Sequence, residues 1–376
     1  MIYFDNAATG GFKPRIVSET ANNVVRFLSA NPGRSGHRLS VTGAECVYSC
    51  RQLIARSFGG VPERVVFTKN CTEALNLAIF GTLKKGGHVI TTVFEHNSGL
   101  RPLHYLKEQG LIQLSVVCPT PEIPIELAIK NAIKDNTYLI VTTAVSNVTG
   151  QALPVSRIGK IAKNHHLLYV VDGAQAGGHI PLNLATQNVS ALCLAGHKGL
   201  MGLMGSGVLV FDEQTEIAPL LMGGTGSESF NLLQPECYPE RLEAGTLNLP
   251  AISALAEGVR LLEENLENYS GHLHAYTQRL INGLNQIKGV KCYSTPNRSG
   301  IVAFSVDGFE SGEVADILAT HFDVAVRGGL HCAPLLHKFF GTQDGGLVRA
   351  SFCVQNTTRE IDYFIKSVNA IALKSF

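Results

Sequence analysis

Leu167-Leu168-Tyr169-Val170-Val171-Asp172-Gly173-Ala174-Gln175 is an apolar, β-branched run that ends in a carboxylate and a glycine. The run predicts a buried strand, and Asp172 then falls at the carboxyl edge of an open α/β sheet, where ligands bind. Alone, an Asp in this place also suits a helix cap, a metal or a ribose. The next apolar run, residues 191–195, leads into Gly196-His197-Lys198-Gly199, which brings a lysine to the same edge. A lone lysine is usually a solvated charge. Here the apolar strand, the histidine and the glycines predict a partly desolvated amine, with a lowered pKa and the reactivity of a Schiff-base nucleophile. The pair has one joint explanation. Lys198 forms an imine with an aldehyde cofactor, and Asp172 keeps a pyridine nitrogen protonated so that the ring accepts electrons.

Outward from this pair, similar runs over residues 65–68, 88–93, 111–117, 138–143 and 207–211 predict further strands. Helical periodicity over 72–83, 98–109, 125–134 and 155–164 separates most of them, which predicts an α/β fold with a mostly parallel sheet covered by helices. The glycine-rich link 196–206 is short for a crossover, so the last strand is expected to be antiparallel. Pro14 opens one predicted helix, and a second is expected from about Leu39 to Phe58. Two long helices, 250–268 and 271–287, then precede a smaller α+β pattern with strands near 301–306 and 347–352. The expected organisation is an N-terminal arm (1–14), a large cofactor-binding domain (15–250) and a small C-terminal domain (251–376), without a flexible linker.

The 31 basic and 30 acidic residues nearly cancel and form no block of like charge. Neither nucleic acid nor a membrane surface is therefore expected as a partner, and a small molecule is. The first residues lack the pattern of a secretory signal, no stretch is long enough to span a bilayer, and the protein is expected in the cytoplasm. Nine cysteines, an odd number without a Cys-x-x-Cys pair, read as reduced thiols, and no metal is expected.

Asn70-Cys71-Thr72-Glu73-Ala74 follows a strand and opens a helix, so its free amides and dipole offer a phosphate site, although an ordinary N-cap explains it too. No P-loop and no Gly-x-Gly-x-x-Gly is present. His96 ends the next strand, where its ring could stack on a planar cofactor.

With these residues in view, the chain resembles the class V aminotransferase-like PLP enzymes, and within them the cysteine desulfurases and selenocysteine lyases. The resemblance runs through Tyr3-Phe4-Asp5-Asn6-Ala7-Ala8-Thr9, Asn31-Pro32-Gly33-Arg34-Ser35-Gly36-His37, Cys71-Thr72-Glu73, His96, Ser146-Asn147 and Asp172-Gly173-Ala174-Gln175. It continues through His197-Lys198, Glu243-Ala244-Gly245-Thr246, Gly329-Leu330-His331-Cys332-Ala333 and Arg349-Ala350-Ser351. It implies the type I fold of PLP-dependent transferases, with pyridoxal 5′-phosphate (PLP) on Lys198, Asp172 at the ring nitrogen, Asn147 and Gln175 at the ring hydroxyl, and His96 stacked on the ring. It implies that Cys71, Thr72 and His197 belong to the phosphate site, with Thr246 entering from a second subunit of a homodimer whose active site is shared. Asn31, Arg34 and Arg349 would contact the substrate, Arg349 through its bidentate guanidinium.

Cys332 decides the reaction that the resemblance implies. Gly328-Gly329 permit a mobile loop, and a short helix expected after Pro334 would lower the thiol pKa. L-cysteine, or L-selenocysteine, would lose its Cα proton to Lys198, and Cys332 would take the sulfur as a persulfide and pass it to an acceptor protein or small thiol. Alanine would leave. One departure stands out. Ala195 replaces a hydroxyl residue usual in the family, which removes a phosphate hydrogen bond worth roughly 1.5–3 kcal/mol. Two alternatives stay open: another PLP reaction at the same site, such as transamination, β-elimination or selenocysteine lysis, and a catalytically degenerate scaffold.

Overall fold

The computed structural model describes residues 1–376. The chain begins with β1 (Ile2–Tyr3), α1 (Arg15–Phe27) and α2 (Arg38–Phe58), and then alternates strands with helices. These are β2 (Val65–Thr68), α3 (Cys71–Gly81), β3 (Gly87–Thr92), α4 (Asn97–Glu108), β4 (Ile112–Val117), α5 (Ile125–Asn131), β5 (Thr137–Thr143), α6 (Val155–Asn164), β6 (Leu168–Asp172), β7 (Ala191–Ala195) and β8 (Gly207–Phe211). The rest comprises α7 (Leu249–Leu284), β9 (Val290–Cys292), β10 (Ile301–Val306), α8 (Ser311–Phe322), β11 (Val324–Ala325), α9 (Pro334–Phe340), β12 (Val348–Ser351) and α10 (Thr358–Ala372).

Seven strands form one sheet in the order β2-β8-β7-β6-β5-β3-β4. The neighbours from β7 to β4 pair in parallel, and β8 runs against both β7 and β2. The short link between β7 and β8 explains the reversal, because a parallel return needs a crossover of a dozen or more residues. β5 and β3 are buried along their whole length, as strands covered on both faces must be. β9, β10 and β12 form a separate antiparallel sheet, and β1 pairs in parallel with β11.

The two helices expected over 250–268 and 271–287 are one helix of 36 residues, α7. Neither a proline nor a left-handed residue interrupts it. The buried Ser270 turns its hydroxyl back to the Glu267 carbonyl at 3.2 Å, so the polar residue at the expected break is satisfied inside the helix. The first half of α7 packs Leu249, Ile252, Leu255 and Val259 with the α2 residues Val47 and Leu53. Its second half packs Leu273, Leu280 and Leu284 with Phe304, Ile361 and Phe364. The buried Phe4 joins the second cluster, edge-on to Phe352 and Phe364 at 4.8 and 5.4 Å, which anchors the N-terminal arm.

α7 crosses the turn after Lys198 so closely that a Cβ on Gly258 would lie 2.1 Å from the Leu200 carbonyl oxygen, whereas a Cβ on the exposed Gly271 would meet open space. Opposite effects of one substitution on one helix are therefore expected. Gly271→Ala raises stability by about 0.5–1 kcal/mol through helix propensity and a less flexible unfolded chain. Gly258→Ala lowers it by about 1–3 kcal/mol, because overpacking outweighs that gain. Urea unfolding midpoints check this, and shifts of the same sign would contradict the close approach.

Candidate active site

β6 and β7 pair with Asp172 opposite Cys193, which brings the end of β6 and the turn after β7 to one edge of the sheet. Asp172 is buried, and its Oδ1 accepts the Ala174 N–H at 2.9 Å and the Cys71 thiol at 3.4 Å. The thiol of Cys71 therefore serves the carboxylate, while its backbone N–H stands in the first turn of α3. Successive helix residues point about 100° apart, so when Cys71 turns into the sheet its neighbour Thr72 faces the open cleft. Burial and the Asp172 charge push the Cys71 thiol well above its ordinary pKa, which keeps the proton it donates. Burial likewise pushes the Lys198 ammonium down, with Asp172 opposing and Arg349 and Arg327 adding to the shift. Lys198 is half-buried, and a partly desolvated amine is what the sequence predicted.

His96 caps α4, its Nδ1 accepting the Ser98 N–H at 3.0 Å. Burial lowers its pKa against the pull of Asp172, so the ring is neutral. With Thr72, Arg101 and Cys332 it lines a cavity of about 460 Å³. His331 and Cys332 hold φ values of 49° and 57°, a left-handed backbone that costs on the order of 1 kcal/mol or more per residue. Three bonds impose it. The Asn97 N–H donates to the Cys332 carbonyl at 2.7 Å, Asn147 Nδ2 to the His331 carbonyl at 2.6 Å, and His331 Nε2 to the Leu347 carbonyl at 2.9 Å. Burial and Arg349 push the His331 pKa down to about 2, so its ring is neutral as well.

The mobile loop expected at Gly328-Gly329 is instead pinned. Gly329 exchanges backbone hydrogen bonds with Leu347 at 3.2 and 3.1 Å, and a Cβ on Gly328 would lie 2.4 Å from the Ser311 carbonyl. These glycines permit close packing and, at Gly329, a φ of 110°.

Arg349 is not a surface residue but is 1% exposed. Its Nη2 pairs with Asp5 at 2.9 Å, its Nη1 donates to the Asn147 carbonyl at 2.9 Å, and its Nε has no partner. Asn147 Oδ1 and Gln175 Oε1 are likewise buried without partners, so three unmet polar atoms belong to residues that the sequence had singled out. The N-terminal arm supplies what the sequence reading missed. Besides Asp5, the Ala7 carbonyl accepts Gln175 Nε2 at 2.8 Å, Thr9 pairs with His197 Nδ1 at 3.0 Å, and Lys13 donates to the His197 carbonyl at 2.8 Å. Burial, followed by Lys198 and Lys13, pushes the His197 pKa down to about 4. Two charges in an arm of apolar and small residues, Asp5 and Lys13, were the available signal.

Three candidates lie elsewhere. Asn31 and Arg34 line a different cavity, of about 410 Å³, beside the buried Arg51–Glu243 ion pair, and Arg34 donates to the carbonyls of Gly224 and Gly245 at 3.1 Å each. Within one chain they do not join Lys198, because the segment before α2 packs against the 224–245 loop. Thr246 is exposed and borders a cavity with Lys69, Glu73 and Gly205.

Glu95, next to His96, was also missed. It is 1% exposed and accepts the Thr92 hydroxyl at 2.5 Å, and burial, with the Asp172 charge adding, pushes its pKa up to about 8. The unfolded chain releases this proton near the ordinary 4.5. Between these values the folded state keeps a proton that the unfolded state has lost, so Glu95 lowers stability as pH rises. Glu95→Gln removes that dependence. The stability of the variant relative to the wild type should climb by a few kcal/mol from pH 5 to pH 8, measured by denaturant unfolding at each pH. A flat difference would contradict a neutral buried acid.

The sequence profile described as "Aminotransferase class-V" matches residues 2–364. A "Probable cysteine desulfurase" of Methanothermobacter thermautotrophicus is 30% identical over 99% of this chain and 94% of its own length, and one of Pyrococcus abyssi is 32% identical over 97% and 92%. The apo structure of a cysteine desulfurase from Thermococcus onnurineus NA1 superimposes with a TM-score of 0.92 at 34% identity, covering 99% of this chain and 95% of that one. The match over nearly the whole chain, with Lys198 and Asp172 on one sheet edge, places this protein in the class-V aminotransferase family.

Proposed function

We propose that the protein is a PLP-dependent cysteine desulfurase, which converts L-cysteine to L-alanine and leaves the sulfur as a persulfide on Cys332. The observation that carries this reading is the thiol-bearing Cys332 held in a left-handed turn in the cavity that His96 and Thr72 line. Its relatives' names support it.

Enzymes of this family use PLP, and the residues present fit it. The unmet acceptors Asn147 Oδ1 and Gln175 Oε1 suit a ring hydroxyl, Asp172 suits a protonated ring nitrogen, and the flat neutral His96 suits the ring face. Thr72 and the free amides at the start of α3, with His197, would hold the phosphate. Ala195 contributes no hydroxyl there. When bound, PLP supplies an electron sink that stabilises negative charge at the α-carbon of an amino acid.

The chain's own residues do the rest. The unpartnered Nε of Arg349 holds the substrate carboxylate, while Asp5 fixes the guanidinium plane. The desolvated Lys198 amine takes the proton from Cα. The Cys332 thiolate attacks the substrate sulfur; an S–S bond forms, the C–S bond breaks with its electrons to carbon, and carbon takes up a proton to give alanine. L-selenocysteine would meet the same residues. A small thiol or an acceptor protein then removes the sulfur.

Met222, Phe230, Leu232 and Leu233 are exposed around the loop that Arg34 contacts. Their burial in a homodimer would carry Thr246, Asn31 and Arg34 towards the cleft of the opposite protomer. Within each protomer the cleft would lie between a large unit (15–250) and a small one (251–376), with the arm 1–14 across both. No helix is long and apolar enough to cross a membrane, all nine cysteines are free, and the cytoplasm is the proposed location.

Supplied with PLP, L-cysteine and a reductant, the wild type should release alanine and sulfide in equal amounts. Cys332→Ala should retain the visible absorbance of bound PLP and lose at least roughly 100-fold in alanine formation, about 2.7 kcal/mol of barrier. Alanine formed by Cys332→Ala at the wild-type rate would overturn the persulfide route.

A further inference from the structure

Behind the turn that carries Cys332 lies a second buried histidine that the reaction does not use. His331 Nε2 donates to the Leu347 carbonyl at 2.9 Å, so the proton of this neutral ring sits on Nε2 and its Nδ1 is a bare acceptor. That Nδ1 is buried and has no partner. His337, on α9, is 0% exposed; its Nδ1 meets the Thr342 hydroxyl at 2.9 Å, and its Nε2 has no partner either. The two ring centroids are 6.0 Å apart, with the planes inclined by 41°. Burial lowers the pKa of both rings, so neither meets its need by taking up a proton. An unmet buried nitrogen is costly, and two on neighbouring rings have one joint remedy. No direct bond joins them, whereas two hydrogen bonds through a single water span roughly 4.5–5.5 Å, which suits rings at this separation. The water donates to His331 Nδ1 and either donates to or accepts from His337 Nε2, so the bridge serves either tautomer of His337.

We infer that His337 is a positioning residue for Cys332: joined to His331 Nδ1 through one buried water, it holds the left-handed turn that presents the thiol. Its effect on sulfur chemistry rests on the desulfurase reading; the bridge itself does not. Two consecutive residues with positive φ, neither of them glycine, persist only where the surroundings impose them. The bonds from Asn97 and Asn147 act on the carbonyls of the turn, and the Leu347 bond fixes one end of the His331 ring. A bridge to His337 fixes the other end, so the ring cannot swing about a single bond. The Ala333 N–H donates to the Leu330 carbonyl at 2.9 Å and leads directly into α9, so one short segment carries both histidines and the thiol between them. His337 does not line the cleft, and it therefore acts on where the thiol sits and not on the binding of cysteine.

The test compares His337→Met with His337→Gln in the PLP-loaded protein. The two side chains are similar in size and both give up the Thr342 bond, but only glutamine keeps a polar group near the place of Nε2. Hydrogen exchange read by mass spectrometry should show the amides of residues 328–333 exchanging about ten-fold faster in His337→Met than in the wild type, with those of β5 unchanged. In His337→Gln they should stay within about three-fold of the wild type. For alanine formation from L-cysteine, kcat should fall about ten-fold in His337→Met at unchanged KM, because thiol position and not substrate binding is lost, and His337→Gln should recover most of it. A high-resolution crystal structure of the wild type should show one water within hydrogen-bond distance of both His331 Nδ1 and His337 Nε2. Equal exchange in the two variants, or a crystal structure in which either nitrogen takes another partner, would overturn the assignment. Faster exchange that spreads to β5 marks a general loss of the fold, and the crystal structure then decides. A wild type that forms no alanine would overturn the desulfurase reading, while the exchange and crystallographic results still judge the bridge.

Discussion

A buried carboxylate and a desolvated amine at one sheet edge set the terms for the rest of this molecule. Asp172 has given up water for one backbone N–H and one thiol, and the half-buried Lys198 shares its surroundings with the charges of Arg349 and Arg327. Burying charges without full compensation is costly, so the arrangement makes sense as a site prepared for a ligand with a cationic end and an electrophilic end. The parallel register of β6 and β7 keeps both side chains at the edge, and the reversal at β8 leaves the turn that carries Lys198 short and closely packed under α7. Asn147 and Gln175, with their unmet oxygens, lie within the same framework.

The second organising feature is the N-terminal arm, which bonds both to the three-stranded sheet and to residues that follow β6 and β7. Through Asp5 it fixes Arg349, through Ser351 it joins the three-stranded sheet, and through Ala7, Thr9, Gly10 and Lys13 it holds Gln175 and the His197 turn. Most of these contacts are hydrogen bonds of modest net worth, near 1 kcal/mol each, but they act on side chains whose alternative would be unmet polar groups. The arm's apolar anchor is Phe4, and its polar residues then take positions that no contact local in sequence could supply. The Cys332 turn follows the same logic, because its left-handed backbone is kept by bonds from α4 and Asn147 and by one from His331 to Leu347, just ahead of β12.

Much of this was legible in the sequence because periodicity and strand ends are local properties. The β-branched runs located the strands of the main sheet, and the short glycine-rich link announced the antiparallel one. Asp172 and Lys198 could be paired because each closes an apolar strand. What depends on distant packing was not legible. Ser270-Gly271 resembled a helix break, and only the burial of Ser270 shows that α7 passes through it. Cys71 and Thr72 are adjacent in sequence, yet helical rotation sends one to the carboxylate and the other to the cleft. Asn31 and Arg34 belong to a stretch that reads like site chemistry, but the fold of one chain packs them against the 224–245 loop. Asp5 and Glu95 gave no periodic signal, since their importance comes from Arg349 and Asp172, which lie far from them in the chain.

The central claim is that Lys198 and Asp172 address opposite ends of one aromatic aldehyde. Borohydride reduction of the protein incubated with PLP, followed by peptide mapping, tests it most directly. The account predicts a pyridoxyl group on the peptide that contains Lys198, and loss of that label at limiting PLP when Asp172 is replaced by Ala. Label on another lysine, or labelling of Lys198 that ignores the Asp172 substitution, would contradict it.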